Sequence, residues 1–336
     1  MAVIEQPVEQ TVVQPVRVRG ASILLAVLGR LGQMAFTLLV ASFLTFLFLQ
    51  AAPGDPVEIM LGGKANDLEV VRRLNEQFGF NDPVLVQYWH WLTNFLHGDM
   101  GTSFVFRDHV SSMVASRLPT TALLVAYGSI LVVLFGFALG LLAARSGRVV
   151  DTGVSVVLSV ALATPTYVIA IVLITVFSLY LNWFPVFGSG TGLLDRLHHL
   201  TLPAITLALS SCAAMARVTR ASIKEEGRRD HVTTAVARGL DSRTVLRRHV
   251  VRNALLPITT IAGILVAALV AGTVIVEQAF GLDGLGSLLV LAITRKDYAV
   301  VQSVSVLVIG AFLVANALVD LLYGVIDPRT RGGDAR

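Results

Sequence analysis

Polar side chains with potential chemistry concentrate in one stretch, 221–257, which reads ASIKEEGRRDHVTTAVARGLDSRTVLRRHVVRNALLP. What it offers is charge and shape for docking. The spacing predicts two short helices. The first, containing Asp230, Thr233, Thr234 and Ala235, runs to about Arg238, where Gly239 is placed to stop it because glycine enters the left-handed conformation cheaply. Asp241 or Ser242 then caps a second helix, with Arg243, Arg247, Arg248 and Arg252 as a basic flank. Pro257 marks entry into the apolar run that follows. Two readings stand side by side. One is a solvated basic loop that only orients the chain in a membrane. The other is a rigid helix–glycine–helix protrusion that takes force from a cytosolic partner. Small residues Thr234, Ala235 and Ala237 on one side favour the second.

Catalytic constellations are missing elsewhere. The chain has no H-E-x-x-H and no G-x-S-x-G, and Gly62-Gly63-Lys64 is only a fragment of a phosphate-binding loop. His90 and His97 have no carboxylate or cysteine at ligand spacing, and the adjacent His198 and His199 are expected to point apart on a helix, so no metal site is assigned. The single cysteine, Cys212, excludes an internal disulfide and reads as a small packing residue.

The elements that must position this stretch are membrane spans. Of 336 residues, 55% are hydrophobic and 14% charged. Typical soluble chains have roughly 45–50% and 25%. Five runs are long enough to cross a bilayer, at about 31–51, 119–144, 153–181, 257–277 and 301–323. The first is too long for a signal-peptide core and reads as a retained helix. A sixth run, 202–216, is short and polar (LPAITLALSSCAAMA). Charge decides its status. Residues 217–256 hold ten Lys and Arg against four acids, and Arg17, Arg19, Arg30, Arg145, Arg148, Arg329, Arg331 and Arg336 mark both tails and the 145–151 turn, while 53–118 is net acidic. The positive-inside rule puts the basic segments in the cytoplasm, so 202–216, extended to about 199–220, must cross. The net charge of +4 therefore reads as topology and not as nucleic-acid binding. The expected architecture is all-α and integral to the membrane, with six transmembrane helices, N-in and C-in.

Several details are expected within this frame. Pro119, Pro165, Pro203 and Pro257 start or interrupt spans. Gly136 and Gly140 form a G-x-x-x-G pair that permits close helix contact. No Asp, Glu, Lys or Arg lies in the middle of a span, and Glu277 and Asp320 sit near span ends, so an ion-coupled pump is disfavoured. The long external segment opens with the turn Pro53-Gly54-Asp55-Pro56, and Asn66 and Asp67 precede a helical stretch ending near Gly79. Asn81-Asp82-Pro83 then starts a capped helix bearing Tyr88, Trp89, Trp91 and Phe95. Those aromatics read either as an interfacial belt or bundle packing, or as part of a gate or external docking surface.

The segment around Gly239 resembles the EAA coupling loop of type I ABC importer permeases, with Thr233, Thr234, Ala235 and Gly239 on the motif. DHVTTAVARGL, followed by an intact R-H-x-x-R-N-A-L-L-P from Arg248 to Pro257, is similar to the first of the two membrane subunits of dipeptide and oligopeptide importers. Further matching motifs are LQAAPGDP at Leu49–Pro56, GDMGTS at Gly98–Ser103, Arg117-Leu118-Pro119-Thr120, and ARVTRAS at Ala216–Ser222. Val276-Glu277 with Phe280, Gly284-Leu285-Gly286, Asp297-Tyr298 and Asn316–Pro328 complete the ordered set. Thr233 replaces the motif's acid, His231 a usual tyrosine, and Asp283 a usual proline.

The resemblance implies a MetI-like fold, with a cytoplasmic tail 1–30, helix 31–52, an extracytoplasmic insertion 53–117, a transmembrane domain 118–325 containing the coupling loop 217–256, and a cytoplasmic tail 326–336. It implies a non-catalytic subunit of the bacterial-type cell membrane. Its partners would be a homologous second permease, two cytosolic ATPases that carry the ATP and Mg, and an external substrate-binding protein. No cofactor is expected on this chain. The coupling residues it implies are Asp230, Thr233, Thr234, Ala235, Arg238, Gly239, Arg247, Arg248, Asn253 and Pro257. Peptides are the first cargo reading. Nickel or another small solute is the alternative, and a membrane enzyme or scaffold is a third reading from another class.

Overall fold

The computed structural model describes residues 20–51, 69, 72–73 and 81–326. The Pro53–Pro56 turn, most of the stretch from Asn66 to Gly79 and the last ten residues lie outside them. Helix α1 (Gly20–Gln50) begins about eleven residues before the expected run at 31, because ASILLAVL continues the apolar pattern upstream. Helix α2 (Val84–Leu96) follows. A two-residue hairpin, β1 (Thr102–Ser103) antiparallel to β2 (Asp108–His109), pairs Thr102 with His109. It leads into α3 (Val110–Arg145) and α4 (Arg148–Ala163). Next come α5 (Thr166–Tyr180), α6 (Leu193–Glu226) and α7 (Asp230–Ala237). The last described elements are α8 (Ser242–Ala279), α9 (Leu285–Thr294) and α10 (Tyr298–Ile326).

Among the described residues, five helices are long and apolar enough to cross a membrane, and α4 with α5 makes a sixth when the pair is taken as one span. The run expected as a single span at 153–181 is instead bent by 107° between those two helices. Proline explains the break. Pro165 has no N–H to give the preceding turn, and it drives Thr164 into an extended conformation at φ −83°, ψ 125°. Pro119, Pro203 and Pro257 do not break their helices and lie inside α3, α6 and α8.

The weak run at 202–216 is part of a 34-residue helix and the centre of the molecule. α6 packs against α3, α4, α5 and α8. Its close approach to α3 depends on two glycines. A Cβ on Gly136 would stand 2.6 Å from Met215, and one on Gly140 2.5 Å from Thr219. The G-x-x-x-G pair is thus a contact surface in this fold. The buried core runs from Leu124 and Val132 on α3 through Leu207 and Met215 on α6 to Ile258 and Leu269 on α8.

The end of the bundle remote from residues 227–241 is fastened by two buried acids. Glu277 accepts from Thr121 Oγ1 at 2.6 Å and from the Gly286 and Ser287 N–H groups at 2.7 and 3.0 Å, which places a carboxylate on the N-terminus of α9. Gly284 must lack a side chain there, since its Cβ would fall 2.2 Å from the Glu277 carboxylate. Asp297 accepts from Ser103 Oγ and from Val300 N, joining the hairpin to the start of α10. Burial pushes its carboxyl above the ordinary range, against the Ser103 hydrogen bond.

Pro83 occupies the N-cap of α2 and no side chain caps that helix, contrary to the expected Asn81–Asp82 cap. Tertiary packing holds α2 instead. Tyr88 meets Ser42 Oγ at 2.8 Å and packs edge-on to Phe43 and Phe46 of α1, and Trp91 and Phe95 stack behind it. Three of the four aromatics are therefore bundle packing, while Trp89 is exposed.

Candidate functional site

The segment between α6 and α8 is a short helix held on its inner side and open on its outer side. α6 ends at Glu226 with Gly227 as its C-cap. The expected first helix, running to Arg238, is thus a separate eight-residue helix, α7, that starts at Asp230 and has Arg238 as its C-cap. Gly239 follows at φ +78°. Its N–H bonds Val236 O at 2.9 Å and the Leu240 N–H reaches Ala235 O at 3.3 Å, the paired closure of a Schellman ending. A Cβ at Gly239 would meet nothing within 4 Å, so the backbone conformation alone demands glycine.

Between the two capping candidates the structure selects Asp241, which accepts from the Thr244 N–H at 3.0 Å. Thr244 holds the exposed Asp241 carboxyl below the usual carboxylate range. The second helix is not a separate piece ending at Pro257. It continues directly into the span, with π-helical turns at Val245–Val251. In a π turn, residues five apart return to one face, and Val245 and Val250 are both buried. The same winding leaves Arg243, Arg247, Arg248 and Arg252 exposed.

The sides of α7 divide cleanly. Val232 and Ala235 are buried in the core cluster that includes Ile223, Val245 and Ala254. Ala235 therefore does not share an outer surface with Thr234 and Ala237, as the sequence pattern suggested. Thr233, Thr234, Val236, Ala237 and Arg238 are exposed, as is Leu240. The Thr234 hydroxyl donates to Asp230 O at 2.9 Å, so it serves its own helix. Polar contacts add a second fastening. The buried Glu226 carboxylate meets Arg229 at 3.0 Å and His231 Nε2 at 3.3 Å, and Asn253 Nδ2 lies 3.2 Å from the same ring nitrogen. This links the end of α6 to α7 and α8, and gives His231 and Asn253 a joint role. Glu226 was missed in the sequence because its burial is set by the fold, although Arg229 and His231 lie only three and five residues on. Pro257 is exposed on α8, and Asp230 lies in the first turn of α7, favourable for an acid at a helix N-terminus.

A second polar group sits at the opposite end of α6. His198 and His199 do not diverge as adjacency suggested. With Asp195 they offer one ligand atom each within 4.8 Å of one another. Close by the segment, Asp151 of α4 takes Arg220 at 2.7 Å and Lys224 at 2.5 Å, pinning the last turns of α6 to α4.

This architecture matches known proteins. The structure superimposes on a chain in "Inward facing conformations of the MetNI methionine ABC transporter" with a TM-score of 0.55 at 15% identity, covering 64% of this chain and 96% of that one. It also matches "Crystal structure of an amino acid ABC transporter with histidines" at 0.52 and 18%, over 63% and 94%. In sequence it is 38% identical to the oligopeptide transport system permease protein AppB of Bacillus subtilis, over 87% of this chain and 94% of that protein. It is 37% identical to the glutathione transport system permease protein GsiC of Salmonella choleraesuis, over 91% and 98%. Residues 23–125 match the N-terminal family of binding-protein-dependent transport system membrane components. With residues 136–332 matching that system's inner membrane component, the chain belongs to the family of binding-protein-dependent transport system inner membrane components.

Proposed function

We propose that this chain is a transmembrane permease subunit of an ATP-driven importer and forms half of a translocation path for di- and oligopeptides delivered by an external binding protein. The observation that carries the reading is α7, a helix anchored inward by Val232 and Ala235 and presenting Thr233, Thr234, Val236 and Ala237 outward, in a chain whose relatives include an oligopeptide and a glutathione permease. A cytosolic ATPase docks on that outer side, with Arg238, Arg247 and Arg248 beside it. Gly239, Asp230, Asn253 and Pro257 set the helix in place, and Ala235 acts from inside. Closure of the ATPases moves α7, and because α8 continues unbroken from Ser242 to Ala279, the motion reaches the far end of the bundle.

The accompanying topology has six spans, with α4–α5 counted as one and both termini cytoplasmic in a bacterial-type cell membrane. A homologous permease completes the path. ATP and Mg bind the ATPases, and this chain holds no nucleotide. Co-purification followed by reconstitution in lipid tests the proposal. A second permease and an ATPase should accompany the chain, and short peptides with the binding protein should stimulate hydrolysis. Isolation of the chain without an ATPase would overturn the importer reading. Stimulation by nickel and not by peptides would overturn the cargo.

A further inference from the structure

We infer that Asp195, His198 and His199 form a binding site for a divalent zinc-class ion at the end of α6 remote from the docking segment. The residues stand at positions i, i+3 and i+4 of the first turns of α6, so one helix face brings them together. One ligand atom from each lies within 4.8 Å of the other two. The rings of His198 and His199 are 6.3 Å apart and nearly perpendicular, at 86°. Two imidazoles and a carboxylate, with no thiolate, suit zinc, with water completing the sphere.

The surroundings hold these groups as supporting residues hold metal ligands. His198 Nε2 lies 3.0 Å from Trp183 O, so Nε2 carries the proton, donates it there, and leaves Nδ1 with its lone pair. The Thr191 N–H donates to Asp195 Oδ2 at 2.7 Å, which orients the carboxylate and leaves Oδ1 toward His199 Nδ1 at 3.3 Å. His199 Nδ1 also stands 3.0 Å from Asp195 O, which only accepts, so without an ion Nδ1 carries the proton and must pass it to Nε2 before it can ligate. Gly190, at φ +68°, closes the loop over the group, since a Cβ there would lie 2.8 Å from Asp195 Oδ2 and 2.9 Å from His199 Nδ1. Two of the three ligands are thus preset by backbone groups from 183 and 191, and an ion would clamp the loop to α6. The site does not depend on the peptide reading; it rests on this chain's own loop.

The test uses the full chain in lipid nanodiscs, purified on a histidine-free affinity tag and stripped with EDTA. Cobalt(II) is titrated in as a spectroscopic stand-in for zinc. One equivalent per chain should give the intense visible bands of low-coordinate nitrogen–oxygen ligation, and zinc should displace it while magnesium does not. His198→Ala and His199→Ala should each weaken binding at least ten-fold, whereas His90→Ala and His97→Ala should leave it unchanged. Size exclusion of each variant without metal checks that it is folded. Absence of stoichiometric cobalt binding by the unsubstituted chain, or equal binding by a folded His198→Ala/His199→Ala chain, would overturn the site.

Discussion

α6 and α1 are both long enough to cross a bilayer, yet they meet opposite surroundings. The most apolar stretch of α6 has a mean hydropathy of 1.4 and is 61% buried in the protein, whereas that of α1 has 1.9 and is 6% buried. The less hydrophobic helix is the central one. Lipid demands apolar side chains, but a neighbouring helix accepts Ser, Thr and small residues if shapes fit and hydroxyls find carbonyls, as Thr206 does with Leu202 O at 2.9 Å. Hydropathy therefore reports lipid contact more than membrane crossing. The difference also bears on the proposed function. α6 carries the proposed docking segment at one end and the Asp195 cluster at the other, roughly 45 Å apart at 1.5 Å per residue. α1 joins the rest chiefly through α10 and α2.

The sharpest way to break this contrast is to widen glycines on each side of it. Gly140→Leu drives a branched side chain into Thr219 and the Ala216 carbonyl, and should cost about 3 kcal/mol or more. Gly32→Leu on α1 meets open space and should cost almost nothing. Thermal unfolding in detergent compares them, and equal losses would erase the distinction between core and rim. Comparable in size is Glu277→Ala, which strands the Thr121 hydroxyl and two backbone N–H groups at about 1–3 kcal/mol each when left buried and unmade. Glu277→Gln keeps an acceptor and should recover much of the loss in the same assay.

A smaller effect is expected in the docking segment, where one side is free. Gly239→Val forces a β-branched residue to φ +78° and should reduce uptake at equal expression, at a backbone cost of about 1–2 kcal/mol, while Gly239→Asn should be tolerated. Arg247→Gln with Arg248→Gln should weaken ATPase assembly several-fold at low salt and little at high salt, as exposed charges are screened. The smallest effect concerns Asp241. Its lowered pKa means that the ionised cap stabilises the start of α8 above the ordinary carboxylate pKa and loses that contribution as pH falls through the lowered value. Protection of the Thr244 amide, relative to its intrinsic exchange rate at each pH, should fall in acid, and Asp241→Asn should remove that acid dependence.

Much of this was legible in the sequence. Apolar runs placed α1, α3, α8 and α10, and the parity of basic segments required a crossing near α6 even though its hydropathy was weak. Gly239 and Asp241 were readable because their demands are local: a positive φ and a cap. Pro165 signalled an interruption, but a 107° bend depends on what the two halves pack against. Other features depend on pairing across the chain. Thr121 and Glu277 meet across 156 positions, and Gly136 matters only because Met215 lies opposite. The inward turn of Ala235 and the burial of Glu226 follow from tertiary packing. The cluster at His198 and His199 escaped notice because its third member, Asp195, lies one helical turn earlier.

The central claim, that the outer side of α7 receives a cytosolic ATPase, is tested most directly by cysteine cross-linking in the assembled complex. With the native Cys212 replaced by serine, Thr234→Cys and Ala237→Cys should cross-link to the ATPase with a yield that changes on ATP binding. Val232→Cys and Ala235→Cys, buried against the chain's own core, should not. Cross-linking from the buried pair, or none from the exposed pair in an intact complex, would contradict the account.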